Sequence, residues 1–174
     1  MLQLRSIFDV NAVQRFAPGD VVFRSGAQVK NVFLVCDGRT ALLRLLPSGQ
    51  QAMLQRAATG QIIAEASVYA HHYHCDCVAQ EPTDLASMPR ASFLNALRSD
   101  TELADAWAAY LAHGIQQARM RAEIRNLKTV AERLDAWTAE YGALPDKGQW
   151  QGLADEISVS REALYRELAR RRSA

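Results

Sequence analysis

Two short stretches carry side chains that could do chemistry. HHYHCDC, residues 71–77, packs three histidines, two cysteines, a tyrosine and an aspartate into seven positions. Imidazole, thiolate and carboxylate are the common ligands of transition metals, and paired thiols can carry a redox change. The same residues would also make an ordinary strand with unusual side chains. The second stretch is SREALYRELARRR, residues 160–172. Arginine's planar fork can donate two hydrogen bonds to guanine O6 and N7, and a glutamate carboxylate can accept from cytosine N4. Arg161, Glu162 and Arg166 therefore form a base-reading set, and Arg170, Arg171 and Arg172, further along, suit phosphates. From Arg161 to Ala174 five arginines stand against two glutamates, although the whole chain of 174 residues carries a net charge of only +1. The competing reading is a salt-bridged surface helix, because Glu162 and Arg166 are four apart in the favourable order.

A base-reading helix must be presented by a second helix, and WQGLADEIS just before it supplies one. The pair has the layout of a helix-turn-helix, with Leu153, Ala154, Ile157, Val159, Ala163, Leu164 and Leu168 facing inward. Ser160 sits where an N-cap belongs, its hydroxyl placed to accept a free amide of the first turn. Arg161, Glu162, Tyr165, Arg166 and Glu167 are left for solvent or a partner. VAERLDAWTAEYG and the loop GALPDKG complete a small helical unit over residues 129–174.

Upstream, residues 101–128 offer few helix breakers. Leu103, Trp107, Leu111, Ile115, Ala118 and Ala122 recur every three or four residues, which predicts one long helix with a narrow apolar stripe. A second copy of the helix across a two-fold axis would bury that stripe; the alternative is that it packs back on its own neighbouring domain. Residues 1–100 read as an all-β domain. Runs such as VFLV (32–35), TALLRLL (40–46) and CVA (77–79) are strand-length, and APGD, RSGA, CDGR and LPSGQ punctuate them regularly, as in an antiparallel barrel or roll.

Composition narrows the function classes. The chain is 49% hydrophobic and 22% charged, a foldable balance. No secretory or membrane-spanning run can be drawn through its first residues, which predicts a cytoplasmic protein without a membrane partner. Three cysteines, Cys36, Cys75 and Cys77, do not make a disulfide framework. No Ser/His/Asp order, phosphate-binding glycine loop or paired-carboxylate helix stands out, so no enzyme is predicted.

Taken together, the chain resembles the CRP/FNR superfamily of bacterial transcription regulators over nearly its whole length. RFAPGDVVFRSGAQVKNVFLVCDGRTALLRLLPSGQ resembles the opening of the cyclic-nucleotide-binding β-roll, and GQIIAEASVY resembles that fold's ligand-pocket segment. Residues from about 100 to 127 are similar to the dimerisation helix, and SREALYR to the recognition-helix pattern R-E-x-x-x-R of the cyclic-AMP-responsive branch. The resemblance implies an α+β protein: an N-terminal antiparallel β-roll of the double-stranded β-helix, cupin-like type, a long dimerisation helix and a C-terminal helix-turn-helix. It also implies double-stranded DNA, a second copy of the chain and RNA polymerase as partners, and DNA contacts from Ser160, Arg161, Glu162, Arg166, Arg170 and Arg171.

Several positions depart from the family. Glu65 matches the glutamate that holds a ribose hydroxyl, and an effector pocket of Glu65, Ala66, Ser67, Tyr73 and His74 is expected. Tyr73 and His74 stand where an arginine would pair with the cyclic phosphate, and neither supplies a guanidinium, which argues against cyclic AMP. Arg56 could stand in. Three cysteines cannot reproduce the four-cysteine iron–sulfur cluster of the oxygen-sensing branch. The turn before the recognition helix carries Ser158 in place of glycine, where a left-handed backbone costs roughly 1–2 kcal/mol. The sequence stops at Ala174, so the usual β-hairpin wing is expected to be missing and DNA binding to be weaker.

The resemblance also places residues 73–80 on a strand, whose alternation would put Cys75, Cys77 and Ala79 on one face and His72, His74, Asp76 and Gln80 on the other. His72, His74 and Asp76 then have the types of a two-histidine, one-carboxylate metal site, and Cys75 and Cys77 could share a soft metal or haem-type ligand. The open alternatives are thiol redox chemistry and a plain strand with two small buried thiols.

Overall fold

Turns, five of the seven bearing a glycine, divide residues 13–89 into eight strands in the computed structural model, which describes residues 2–49 and 51–172. They are β1 (Val13–Phe16), β2 (Val21–Phe23), β3 (Asn31–Asp37), β4 (Arg39–Leu45), β5 (Gln51–Ala58), β6 (Ile62–Ile63), β7 (Asp76–Ala79) and β8 (Thr83–Pro89). One sheet runs β1-β8-β3-β6 and the other β2-β7-β4-β5, with every neighbouring pair antiparallel. The CDGR turn requires its glycine: Gly38 has φ +83°, and a β-carbon there would collide with the Pro82 carbonyl oxygen.

The unbroken apolar run of β3 is explained by cover on both faces. Phe33 and Val35 enter a core with Phe23, Leu42, Ile63, Cys77 and Leu85, drawn from both sheets. Val32 and Leu34 point the other way, into a second core with Leu4 and Phe8 from α1 (Leu2–Ser6) and the turn after it, Phe93 from α2 (Arg90–Ser99), and Leu103 and Trp107 from α3 (Thr101–Asn126). A strand covered on both sides reads as a continuous hydrophobic stretch instead of an alternating one.

The chain forms two compact units, residues 1–112 and 113–174. The stripe expected on the long helix is divided between two fates. Leu103 and Trp107 are buried in the first unit, with Trp107 edge-on to Phe93 at 4.9 Å. The Tyr110 hydroxyl donates to the Ile62 carbonyl oxygen at 2.8 Å and accepts from the Ile62 amide at 3.0 Å. Burial drives the Tyr110 phenol up to about 12. Past that point Ile115 is 53% exposed, and Gly114, Ala118 and Ala122 are exposed as well. The start of the helix thus packs on its own β unit, while its middle presents a narrow uncovered stripe.

In the second unit α4 (Val130–Tyr141) opens with a reciprocal capping box between Thr129 and Glu132, α5 spans Trp150–Glu156, and α6 spans Arg161–Arg172. Ile124, Leu134, Trp137, Leu153, Ala154, Ile157, Leu164 and Leu168 form its core. About 60 residues is little chain for a core, and the unit supplements it with polar ties. Arg133 donates to three backbone carbonyls, those of Leu127, Ile157 and Ser158, at 2.8, 3.1 and 2.8 Å.

Candidate functional site

In the first unit, the pocket segment expected from the sequence is a single 3-10 turn, Glu65–Ser67. It is entered through Ala64, buried with φ +71°, a left-handed conformation that is costly for any residue with a β-carbon. Ser67 is buried and its Oγ lies 3.1 Å from His74 Nδ1. Arg44 of β4 donates to the His74 carbonyl oxygen at 3.0 Å. Burial, and then the Arg44 charge, hold the His74 imidazole below its ordinary value. Ser67 and His74 therefore form one cluster with Arg44; Glu65 stands at the start of the same 3-10 turn as Ser67, and Ala66 lies exposed between them. Arg44 was not read as a site residue. Its only sequence signal is a charge interrupting the apolar run TALLRLL.

Tyr73 does not belong to that cluster. Its ring stacks on Phe23 with centroids 3.9 Å apart and planes 13° apart, and its hydroxyl donates to the Asn31 carbonyl oxygen at 2.8 Å. It is a core residue, because it falls on the inward phase of the alternation.

The metal-ion reading of residues 71–77 is corrected by the same phase. Among the described residues no three His, Cys, Asp or Glu side chains are grouped so as to hold a metal ion. Asp76 accepts from the Ser25 amide at 2.7 Å and pairs with Arg24 at 3.3 Å, and His74 is bound to Ser67, so His72 has neither as a co-ligand. Cys75 and Cys77 are free thiols buried in the core. Burial pushes Cys75 up to about 11 and Cys77 up to about 12, which disfavours the thiolate needed for metal binding or exchange. The expected strand is also shorter than foreseen: β7 begins at Asp76, and His72 makes only an isolated bridge with Gln28.

In the second unit, α5 and α6 are joined by residues 157–160. Ser158 takes φ +54°, the left-handed turn anticipated at this position, and its carbonyl oxygen is held by Arg133. The Ser160 hydroxyl accepts the Ala163 amide at 3.2 Å, so the N-cap forms as expected. Leu164 and Leu168 face the core, which turns Glu162 and Arg166 to solvent, and Arg161 is exposed at the first position of the helix. Glu162's own backbone N–H and the Ser160 hydroxyl hold its carboxyl below the usual range. Among the described residues Glu162 and Arg166 form no ion pair with each other; the salt-bridged reading of this helix holds instead at Glu167.

The ion pairs of α6 lie on a different face. Glu167, read as available to a partner, instead accepts from Arg170 and Arg171 at 2.7 and 2.6 Å, and those two hydrogen bonds hold its carboxyl down at about 2. Arg171 is likewise corrected. It also bonds Asp135 at 2.7 Å and the Ala131 carbonyl oxygen at 3.1 Å, so it ties α6 to α4 and is not left for a phosphate. Arg170 keeps 65% of its side chain exposed. Arg133 gave no sequence signal, since an arginine in a helix reads as surface charge until its partners are known; for Arg171 only the pair with Glu167, four residues earlier, was readable, and not the tie to α4.

No helix among the described residues is long and apolar enough to cross a membrane. No curated protein matches the chain. Among solved structures, FixK2 from Bradyrhizobium japonicum is 17% identical, with a TM-score of 0.75 covering 93% of this chain and 85% of that one. TTHB099, a CRP-family transcriptional regulator from Thermus thermophilus, is 17% identical with a TM-score of 0.71, covering 92% and 84%. The c-di-GMP-responsive global regulator CLP of Xanthomonas campestris is also 17% identical, with a TM-score of 0.65 covering 98% and 91%. The chain thus shares the fold of CRP-family regulators, built here from a mixed α+β arrangement. Residues 13–100, just over half of its length, match the cyclic nucleotide-binding domain, and the chain belongs to that family.

Proposed function

We propose that the protein is a homodimeric, sequence-specific DNA-binding regulator in which residues 1–100 sense an effector, residues 101–128 pair with a second copy, and residues 129–174 read DNA through a helix-turn-helix formed by α5 and α6. The observation that carries this reading is the start of α6. Arg161, Glu162 and Arg166 are all exposed near the start of a capped helix, Glu162 and Arg166 on the side away from its buried leucines and Arg161 at its first position, and among the described residues no ion pair joins them. Together they offer fork donors for guanine and an ionised acceptor for cytosine. Arg170 and Arg172 lie further along for phosphates.

Dimerisation is supported by the exposed stripe of Ile115, Ala118 and Ala122, a second copy being the surface of matching period. Two half-sites about 34 Å apart would follow from the two-fold axis. Recruitment or exclusion of RNA polymerase would then depend on where those half-sites lie.

The effector would be met by Glu65, Ser67 and His74, with Arg44 beside His74. Cyclic AMP is disfavoured because Tyr73 points into the core and His74 is held toward its neutral form, so neither residue at the family's phosphate position supplies a fixed cation. A regulator of the same fold responds to c-di-GMP, so this architecture is compatible with other effectors.

The test is Arg166→Ala in a duplex-binding titration at fixed salt. It should relax preference at one base pair in each half-site by about 1–3 kcal/mol while leaving the salt dependence unchanged. Equal loss on specific and random duplexes would refute base reading by Arg166.

A further inference from the structure

Arg161 is not a free arm. Its Nη2 donates to the Tyr165 hydroxyl at 3.3 Å and its guanidinium carbon lies 5.2 Å from the Tyr165 ring centroid. Tyr165 in turn meets Trp150 edge-on at 5.1 Å, and the Trp150 indole N–H donates to the Pro145 carbonyl oxygen at 2.9 Å. A chain of contacts thus runs from the loop before α5 through two rings to the guanidinium at the first position of α6. Arg172 lies against the far ring, 5.8 Å from the Trp150 centroid.

We propose that Tyr165 is a specificity-determining residue that acts by positioning Arg161, a role that rests on the base-reading function given above. The guanidinium carbon lies over the ring and one of the group's five N–H donors is used, so its remaining donors stay available for the O6 and N7 of a guanine. Fixing a long, rotamer-rich side chain before binding removes part of the ordering cost that a free arginine would meet at the duplex. The gain belongs to the base that Arg161 reads and to no other, because Arg166 is not part of the contact chain.

The experiment uses the full chain and a library of random duplexes to obtain the preferred half-site, then measures relative affinity for all single-base changes. Arg161→Ala identifies the base pair that depends on Arg161. Tyr165→Leu should lower preference at that same pair by about two- to fivefold, the ratio expected for an exposed cation–π contact, with the pair assigned by Arg166→Ala unchanged. Tyr165→Phe, which keeps the ring, should stay nearer the parent. If Tyr165→Leu fails to fold by circular dichroism, Tyr165→Met replaces the volume without a ring and carries the same expectation. Unchanged preference at the Arg161 pair, or a uniform loss at every pair, overturns the positioning role while base reading stands. If Arg161→Ala alters no preference, the base-reading role of Arg161 fails and the proposal fails with it.

Discussion

Residues 71–77 and residues 160–172 are similarly rich in reactive side chains, yet the first stretch sends its tyrosine and both thiols inward while the second keeps Arg161, Glu162 and Arg166 at the surface. In the first, a period of two places Tyr73, Cys75 and Cys77 in the core, and the polar residues between them are taken up separately by Ser67, Ser25 and Arg24. In the second, a period of 3.6 sets Glu162 and Arg166 on the side away from Leu164 and Leu168, and Arg161 stays open because it heads the helix. Density of ligand types did not make a site. Phase relative to the core did.

The contrast is broken most severely at Tyr73. Tyr73→Ala should destabilise the first unit by about 3–5 kcal/mol in denaturant unfolding, the range for deleting a buried aromatic ring. A pocket-lining tyrosine would leave stability nearly unchanged, so a loss under about 1 kcal/mol would return Tyr73 to the effector site.

A smaller effect of opposite sign is expected in the outward region. Ser158→Gly relieves the left-handed strain at φ +54° and adds unfolded-chain freedom, for a net gain of up to about 1 kcal/mol. A decrease in melting temperature would mean that the Ser158 side chain contributes more than its backbone conformation costs.

The smallest effects are those of pH, and they separate the two regions. His74 has a lowered value in the folded state, so its neutral form favours folding; that contribution is complete above about 6.5 and is lost as pH falls through the folded value. Glu167, held at about 2, contributes fully above its unfolded value near 4.5 and loses that contribution as pH falls toward about 2. His74→Gln should remove the upper dependence and Glu167→Gln the lower one in melting-temperature profiles. Retention of either dependence in its variant would assign it to another group.

Much of this was legible beforehand. The turns around Gly26, Gly38 and Gly49, the apolar run of β3, the N-cap at Ser160 and the left-handed Ser158 all follow from local residue types at fixed spacing. The inward set of α5 and α6 was readable for the same reason, because helical period alone assigns it. Arg44, Arg133 and Arg171 were not. Each is a charged residue whose partner lies 30, 24 and 36 positions away, and chain distance carries no trace of such contacts.

The order of elements, the periods of their apolar faces and the crowding of arginine near residue 174 were determined by the linear chain, since each depends on neighbours within a few turns or one strand. Which half of the long helix packs on β sheets and which stays open, which arginines are tied down, and on which side of the core the histidines and thiols fall were decided only when distant segments met. Burial and pairing belong to surfaces, and those surfaces exist only in the folded molecule.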